Sequence, residues 1–206
     1  MGEAWSGSLI KKHLTELADV IGPRWGGSDG DRRAAEYIRE QMEAAGLDRA
    51  DIEPFTIDTW NHGDVTIALQ DDPERVIASL PFIRCKPIDI TTPLVDAGHA
   101  SPHEVDALGD RVKGSIVLAS ISPEPFTSPE PFTARIARLA KAGAACIIGI
   151  EPKTGGRMEY SSTDEWLNVS PQKDALAVVK TSSEDGAYLR RVASKSPSVH
   201  VSVDAK

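Results

Sequence analysis

Two short stretches contain histidine beside acidic residues, a combination that can ligate a metal ion or transfer a proton. The first is His62-Gly63-Asp64, which offers two possible ligands. A zinc site needs three or four converging nitrogen, oxygen or sulfur ligands, and the other histidines lie in different predicted elements. A turn between two strands explains His62 and Asp64 more simply, so we expect no metal there.

The second stretch places His99 and His103 four residues apart, with Asp96 and Glu104 nearby. On a helix this spacing would put both imidazoles on one face. Pro102 lies between the two histidines and a glycine precedes them, and both features disfavour a helix through the pair. We therefore expect solvent-exposed loop histidines, with a converged metal-binding or catalytic pair as the alternative.

Gly26-Gly27-Ser28 precedes a predicted helix, where free backbone N–H groups can bind an anion. Ser28 and Asp31 also fit the S-x-x-D capping pattern, in which side chains satisfy those N–H groups. Because capping accounts for these residues without a ligand, we predict a helix start rather than an anion site.

Cys85 and Cys146 are the two cysteines of the chain. Cys146 lies in an apolar run and is expected to be a buried thiol. A disulfide between the two is an alternative, but the sequence gives no distance to support it. No G-x-S-x-G, H-E-x-x-H, C-x-x-C or P-loop motif occurs, so a serine or cysteine nucleophile would need a histidine brought to it by the fold. We assign no catalytic, cofactor-binding or metal-binding residue.

The charge balance limits the partners of the chain. Its net charge is −8 and no basic run occurs, which argues against binding nucleic acid. No apolar run approaches the roughly 20 residues needed to cross a bilayer, and no secretory signal pattern is present. We therefore expect a cytoplasmic protein without a membrane partner.

The elements that would position these residues begin with two amphipathic helices. Leu9 to Ile21 carries an apolar face and ends at Gly22-Pro23. Ser28 to Gly46 forms the second helix. The apolar faces of the two helices include Ile10, Leu14, Leu17, Ile38 and Met42.

Three extended segments are predicted next, at residues 51–60, 65–69 and 76–83. Their apolar residues favour strands of one antiparallel sheet, with turns at residues 61–64 and 70–74. Further strands are predicted at 93–98, 176–180 and 199–203, with a polar connection at 101–109 that could be helical and a last helix at 182–193.

The segment 114–150 predicts a βαβ unit. Gly114 to Ile121 is an apolar strand, Ala134 to Ala142 carries one apolar helical face, and Ala144 to Ile150 is a buried strand. Gly143 separates the helix from the second strand. Nothing in this unit is chemically reactive, so we predict a scaffold.

Two loops could carry function. Glu-Pro-Phe-Thr occurs at residues 124–127 and 130–133, and also at 53–56. The tandem copies predict a proline-stiffened loop, whose phenylalanines either plug the edge of the core or recognise a partner. Residues 152–172 form a second, polar loop with Trp166 as its large apolar residue.

The first quarter of the chain resembles family M28 zinc aminopeptidases. The resemblance lies in Leu14-Thr-Glu-Leu-Ala-Asp-Val-Ile-Gly-Pro-Arg24, Gly27-Ser28, Ala34-Ala-Glu-Tyr-Ile38, Ala45-Gly46-Leu47 and a strand with Phe55. From about Pro93 the chain resembles a protease-associated (PA) domain, through Val112-Lys113-Gly114-Ser-Ile-Val117, the helix at 135–142, Gly143-Ala-Ala-Cys-Ile-Ile148 and residues 176–203. PA domains are inserted in many M28 enzymes at this position.

The resemblance implies an α/β (α+β) chain in two parts. Residues 1–86 would form two helices and a few strands of a zinc-exopeptidase-like fold, and residues 87–206 a PA-type β-sandwich or barrel with flanking helices. In M28 peptidases the zinc ligands and catalytic acids follow the PA insertion, in H-x-D, D-N and E-E motifs. His62-Gly63-Asp64 precedes the PA-like part and lacks a preceding apolar strand, so the metal role is not carried onto it, and no such motif follows the PA-like part in these 206 residues. We therefore expect zinc in a peptidase part that they do not include.

The implied role is therefore non-catalytic. The chain would shape substrate access, or carry a protein interface, for a peptidase domain in cis or in trans, and would meet the peptide substrate only indirectly. The alternatives are a stand-alone interaction module or subunit, including a homo-oligomer, and an unrelated enzyme built on the same scaffold. The exposed helix faces expected in the first part favour a covering partner.

Overall fold

The computed structural model describes residues 8–57, 59–162, 176–195 and 198–205. This part of the chain contains five α-helices and seven β-strands. The chain divides into two compact units, Met1–Thr59 and Trp60–Lys206. None of the described helices is long and apolar enough to cross a membrane. The mixed α/β class predicted from the sequence is confirmed.

The first unit contains the two predicted helices. Helix α1 is Ser8–Thr15 and continues as a π-helix over Glu16–Ile21, and helix α2 is Asp29–Ala44. The N–H of Gly22 donates to the Leu17 carbonyl at 3.2 Å, a bond over five residues that fits the wider π turn. The sequence predicted one helix over residues 9–21, and the change of helix type within it was not foreseen.

Most of the apolar face of these helices is exposed. Ile10, Leu14, Ile38 and Met42 are all more than two-fifths exposed, and Leu17 is half-buried. In the described part of this unit, the buried apolar residues are Ile21 and Ala34. Two amphipathic helices with so small a core gain little from hydrophobic burial.

The strand predicted at residues 51–60 is wrong. Residues 51–57 and 59–61 have no strand structure, and Ile52, Phe55 and Ile57 are exposed. A strand needs a paired neighbour to satisfy its backbone, and no described strand pairs with this segment. The apolar residues of 51–57 indicated a strand, but they do not show whether another strand pairs with it.

The second unit is built on a seven-stranded mixed sheet with the order β1-β7-β3-β4-β5-β6-β2. Its strands are β1 His62–Leu69, β2 Leu80–Pro81, β3 Ile88–Asp96, β4 Ile116–Ser120, β5 Cys146–Ile150, β6 Ala177–Thr181 and β7 Ser198–Ala205. Strands β3 to β6 run parallel, and β1, β7 and β3 are antiparallel. The sheet nearly closes, since the Ser79 hydroxyl beside β2 donates to the Val65 carbonyl of β1 at 2.7 Å.

The local antiparallel sheet predicted for residues 51–83 is therefore wrong in its pairing. Strand β1 pairs with β7 from the far end of the chain, and β2 pairs with β6. Residues 62–64 belong to β1 rather than to a turn, and the predicted strand at 76–83 is reduced to Leu80–Pro81. Strand partners this distant in the sequence leave no short-range signal.

The predicted βαβ unit is confirmed. Strand β4 is followed by helix α4, Phe132–Lys141, and then by β5, which pairs in parallel with β4. Gly143 has φ 90°, the left-handed conformation expected just after a helix, and its N–H donates to Ala140. Two further helices, α3 at Pro102–Leu108 and α5 at Ser183–Ala193, complete the described unit.

The two faces of the sheet bury separate cores because side chains alternate along each strand. Ile116 and Leu118 of β4 lie in one cluster with Leu189 of α5. Val117 of the same strand lies in the other cluster with Leu139 of α4. Helices α4 and α5 thus cover opposite faces, as expected for a sheet whose central strands are buried on both sides.

Gly186 of α5 lies where this helix packs closely on the sheet. A Cβ at this position would lie 2.4 Å from Cγ2 of Ile150 in β5. We expect Gly186→Ala to destabilise the fold by about 1–3 kcal/mol through overpacking, although alanine normally favours a helix by about 1 kcal/mol. Urea unfolding followed by circular dichroism measures the change. The control is the double variant with Ile150→Ala, whose loss should be smaller than the sum of the single losses; additive losses would contradict the contact.

The tandem Glu-Pro-Phe-Thr copies have different environments. Phe132 is partly buried against the core, with its ring 5.9 Å from that of Phe82. Phe126 is fully exposed. The predicted polar loop at 152–172 is described only to residue 162, and Trp166 lies outside the described residues.

Candidate functional site

The parallel strands bring polar residues to one edge of the sheet. Strands β3, β4, β5 and β6 run in the same direction, so the segments that follow them emerge at their common carboxyl ends. In open α/β sheets, ligands bind at this edge. Two buried charged groups contact these segments, and a cavity lies between two of them; the cavity is the candidate site.

Arg135 of α4 is the first buried charged group. Its side chain is 3% exposed. Nη1 donates to the carbonyl oxygens of His99, Ser120 and Ser122 at 3.0, 2.8 and 3.0 Å, and Nη2 donates to that of Ile121. Burial lowers the pKa of the guanidinium, but arginine is protonated near neutral pH because its ordinary pKa lies far above neutrality. One side chain therefore fixes the segments that follow β3 and β4.

A cavity of about 290 Å³ opens beside Arg135. It lies between the start of α3 and residues 122–131, which we call the Pro-Phe loop. Its polar lining includes His99, Ser101, His103, Glu124, Glu130 and Arg135. We call it the α3 cavity.

The start of α3 is held by a capping box. The Glu104 carboxylate accepts from the N–H groups of His99 and Ser101 and from the Ser101 hydroxyl, at 2.7 to 3.2 Å. Burial would raise the pKa of Glu104, but these hydrogen bonds outweigh it and the pKa is lowered. Gly98, at φ 60°, leaves the space for this carboxylate, which would lie 2.0 Å from a Cβ there. One wall of the cavity is thus rigid.

The second buried charged group is the ion pair of Lys180, in β6, with Glu151, the residue that follows β5. Lys180 Nζ lies 3.1 Å from Glu151 Oε2, and the two side chains are 1% and 6% exposed. The same ammonium donates to the Ser161 hydroxyl at 2.8 Å and to the Glu159 carbonyl. All three ammonium hydrogens therefore have acceptors, which leaves the pair without a free donor for a ligand and gives it a structural role.

His99 and His103 both line the α3 cavity, although not as a helical pair. Pro102 is the first residue of α3, so His103 lies in the helix and His99 lies before it. His99 is half-buried, with Nδ1 3.1 Å from the Ser122 carbonyl oxygen, and the prediction of two exposed loop histidines is wrong for it. His103 is exposed, and its Nε2 lies 3.8 Å from Glu124 Oε1.

His62 and Asp64 do not converge on other metal ligands. His62 Nδ1 contacts the Gly63 carbonyl oxygen at 2.8 Å, and Nε2 contacts the Tyr160 hydroxyl at 3.0 Å. Within the described ranges, no group of three or more histidine, cysteine, aspartate or glutamate side chains could hold a metal ion.

The remaining sequence candidates also have structural partners. Ser28 Oγ accepts from the Asp31 N–H at 3.1 Å, and the Asp31 carboxylate accepts from the Gly27 N–H at 3.0 Å. The capping interpretation is therefore confirmed, because a carboxylate of the chain itself occupies the helix start. Cys85 and Cys146 are buried free thiols, and burial raises the pKa of both.

The sequence patterns do not single out Arg135, Lys180 or Glu151 as site residues. Lys180 did give a signal, since it is a charged residue within the apolar run Ala-Val-Val-Lys, and all residues of β6 are buried. Arg135 adjoins Ile136 on the buried face of α4, where a charged residue needs partners. Their acceptors are backbone carbonyls and distant side chains, which a sequence pattern does not identify.

No protein-family model matches the chain. Carboxypeptidase Q from Bos taurus is 27% identical over 120 residues, which are 57% of this chain and 24% of the relative. A zinc aminopeptidase from Bacillus subtilis superposes with a TM-score of 0.66 at 20% identity, over 94% of this chain and 42% of that one. A peptidase M28 precursor from Shewanella amazonensis SB2B superposes with a TM-score of 0.68 at 18% identity, over 99% of this chain and 48% of that one.

The chain therefore has the fold of part of an M28-type peptidase. It spans a quarter of the curated relative and less than half of these solved structures. At these sequence identities the comparisons show a similar fold, and a similar fold does not by itself show a similar activity.

Proposed function

We propose that this chain is a non-catalytic portion of an M28-type zinc peptidase, which shapes access to the substrate cleft or carries an interface with the peptidase domain. The observation that carries the proposal is the superposition of nearly the whole chain on less than half of two such structures. The peptidase domain, in cis or in trans, would hold the zinc, and the chain would meet the peptide substrate only indirectly.

The PA-type identity of residues 87–206 belongs to this proposal. It is supported by the βαβ unit and by the helices that cover both faces of the sheet. Cytoplasmic location is likewise part of the proposal and rests on the sequence pattern.

The exposed helix faces of the first unit favour a second candidate function, that of a subunit. Ile10, Leu14, Ile38 and Met42 belong to faces that a separately encoded catalytic chain, or another copy of this one, would cover. Sedimentation of the purified chain tests this candidate. A stable monomer at high concentration, with no partner recovered, would count against it.

Zinc content and peptide hydrolysis test the main proposal. We expect the purified chain to bind zinc far below one ion per chain and to release no product from amino-acid p-nitroanilides. An intact M28 aminopeptidase assayed in parallel is the positive control. Stoichiometric zinc with turnover would overturn the proposal, and loss of that zinc in His62→Ala would locate it.

A further inference from the structure

Arg135 carries a buried positive charge that forms no ion pair with a carboxylate of the described residues. Its acceptors are four backbone carbonyl oxygens, which are neutral. The ring centroid of Phe132 lies 4.9 Å from the guanidinium carbon, and an aromatic ring attracts a cation but is not a counter-ion. Burying a charge is costly unless an opposite charge compensates it. Arg135 therefore lacks a direct counter-ion.

The same guanidinium has unused hydrogen-bond donors. Nε is buried and has no hydrogen-bond partner in the part of the chain that the structure describes. Nη2 carries two hydrogens and donates to one acceptor there, the Ile121 carbonyl oxygen. A buried donor without an acceptor is destabilising. Neighbouring N–H groups of a guanidinium form the planar fork that binds both oxygens of a carboxylate. The unused donors and the missing counter-ion thus fit the same group, a carboxylate.

The α3 cavity provides space for a small ligand beside this guanidinium. Arg135 lines the cavity, whose volume of about 290 Å³ lies at the low end of the range for ligand pockets. Pro102 and Pro123 add apolar surface to its lining. One wall is the Pro-Phe loop, which contains no helix or strand. A wall without regular structure can shift by the small distance that a ligand oxygen needs to reach the buried Nε.

The carboxylates of the cavity limit the charge of the ligand. Glu130 pairs with Arg138, whereas Glu124 lies 3.8 Å from the imidazole of His103, which is charged only when protonated. A ligand with one negative charge would neutralise Arg135. A dianion would place a second negative charge near Glu124, and like charges repel. The cavity therefore suits a monoanion.

We propose that the α3 cavity binds a small organic monocarboxylate. The ligand carboxylate accepts from the Nε–H and Nη2–H groups of Arg135, and its carbon stem lies against Pro102 and Pro123. The proposal goes beyond the proposed function, because the ligand is not a peptide and every contact comes from this chain. Its failure would leave the peptidase-portion proposal standing, since neither the fold nor the zinc content depends on this ligand.

Side-chain NMR on the full 206-residue chain tests the proposal. The Nε–H resonance of Arg135, assigned through its own side-chain carbons, is followed in proton–nitrogen spectra during titration with sodium butyrate at constant pH and ionic strength. We expect a saturable shift with a Kd of about 1–10 mM, as is usual for so small a ligand. Butyrate should also raise the thermal midpoint of unfolding, because it binds the folded chain.

Three further probes define the chemistry of the ligand. Butyramide has the shape of butyrate without its charge, and chloride has the charge without the two oxygens; neither should give a saturable shift of the Arg135 resonance. Inorganic phosphate at pH 8 is mainly a dianion, and we expect it to bind at least about threefold more weakly than butyrate.

Matched variants distinguish the cavity from a general effect of charge. We expect Glu124→Gln to tighten butyrate binding about threefold, because it removes a like charge. Asp110→Asn removes the same charge from a side chain that is 99% exposed outside the cavity, and should leave the affinity unchanged. Arg135→Lys keeps the positive charge without the planar fork and should weaken binding at least about tenfold, whereas Arg191→Lys should not.

The parent chain and Glu124→Gln keep the proposal testable even where Arg135→Lys fails to fold, which circular dichroism shows. An Arg135 Nε–H resonance that butyrate does not shift would overturn the proposal. So would equal saturable shifts with butyramide or chloride, an affinity for phosphate equal to that for butyrate, or an unchanged affinity in Glu124→Gln.

Discussion

Replacing Lys180 with methionine is expected to destabilise the second unit by about 3–5 kcal/mol, because it leaves the buried carboxylate of Glu151 without its counter-ion. The loss of the ammonium also leaves the Ser161 hydroxyl and the Glu159 carbonyl without their donor. The measurement is the free energy of unfolding from urea titration, followed by circular dichroism.

The Lys180 prediction has two controls. The double variant with Glu151→Gln removes the uncompensated charge and should recover a large part of the loss. Lys153→Met breaks the exposed pair with Glu159, whose side chains are 51% and 63% exposed, and should leave the free energy of unfolding nearly unchanged because solvent screens the pair. If the free energy of unfolding of Lys180→Met lay within about 1 kcal/mol of the parent value, which is roughly what a surface ion pair contributes, the stabilising role of the buried pair would be contradicted.

Replacing Arg135 with lysine is expected to cost about 2–4 kcal/mol, although the charge is kept. An ammonium is a single point with three donors, and it cannot reproduce the planar fork that reaches the carbonyls of residues 99 and 120–122. Some of those buried carbonyls would lose their hydrogen bonds. Urea unfolding measures the loss, and amide hydrogen exchange should increase selectively in the segments after β3 and β4.

Arg191→Lys is the matched control for Arg135. Arg191 is exposed, and its guanidinium contacts the Ala187 carbonyl within its own helix at 3.1 Å. The substitution should change the free energy of unfolding by less than about 0.5 kcal/mol. If the two variants were equally stable, Arg135 would not hold the segments that line the α3 cavity.

Local chemistry explains which parts of the fold were predictable. The capping of α2 by Ser28 and Asp31, and the helix end at Gly143, depend on interactions within a few residues. The β4–α4–β5 unit was predictable for a related reason, since a helix of this length between two buried strands favours a parallel crossover.

Long-range pairing explains what was not predictable. Residues 51–57 contain Ile52, Phe55 and Ile57, which predicted a strand, but a strand also needs a neighbour, and the sequence cannot show that none of the described strands pairs with this segment. The pairing of Val65 with Val203 joins residues from opposite ends of the unit.

The candidate site was not predictable from the sequence because its contacts also join residues that are distant in the sequence. The partners of Arg135 are backbone carbonyls, which every residue possesses and no motif records. His99 and His103 are four residues apart, which is the spacing of one helical face, but they do not lie on one helix. Both line the α3 cavity, and α3 begins at Pro102, between them.

The position of β7 has a consequence for the order of assembly. This strand, residues 198–205, lies between β1 and β3, and it supplies the backbone partners of both. During synthesis β1 and β3 emerge early, but neither can complete its antiparallel pairing until residue 205 has left the ribosome. The parallel strands β4 and β5 can pair before that point. We therefore expect β1 to lack its strand partner until β7 has been synthesised, so folding of this half is late and governed by long-range closure.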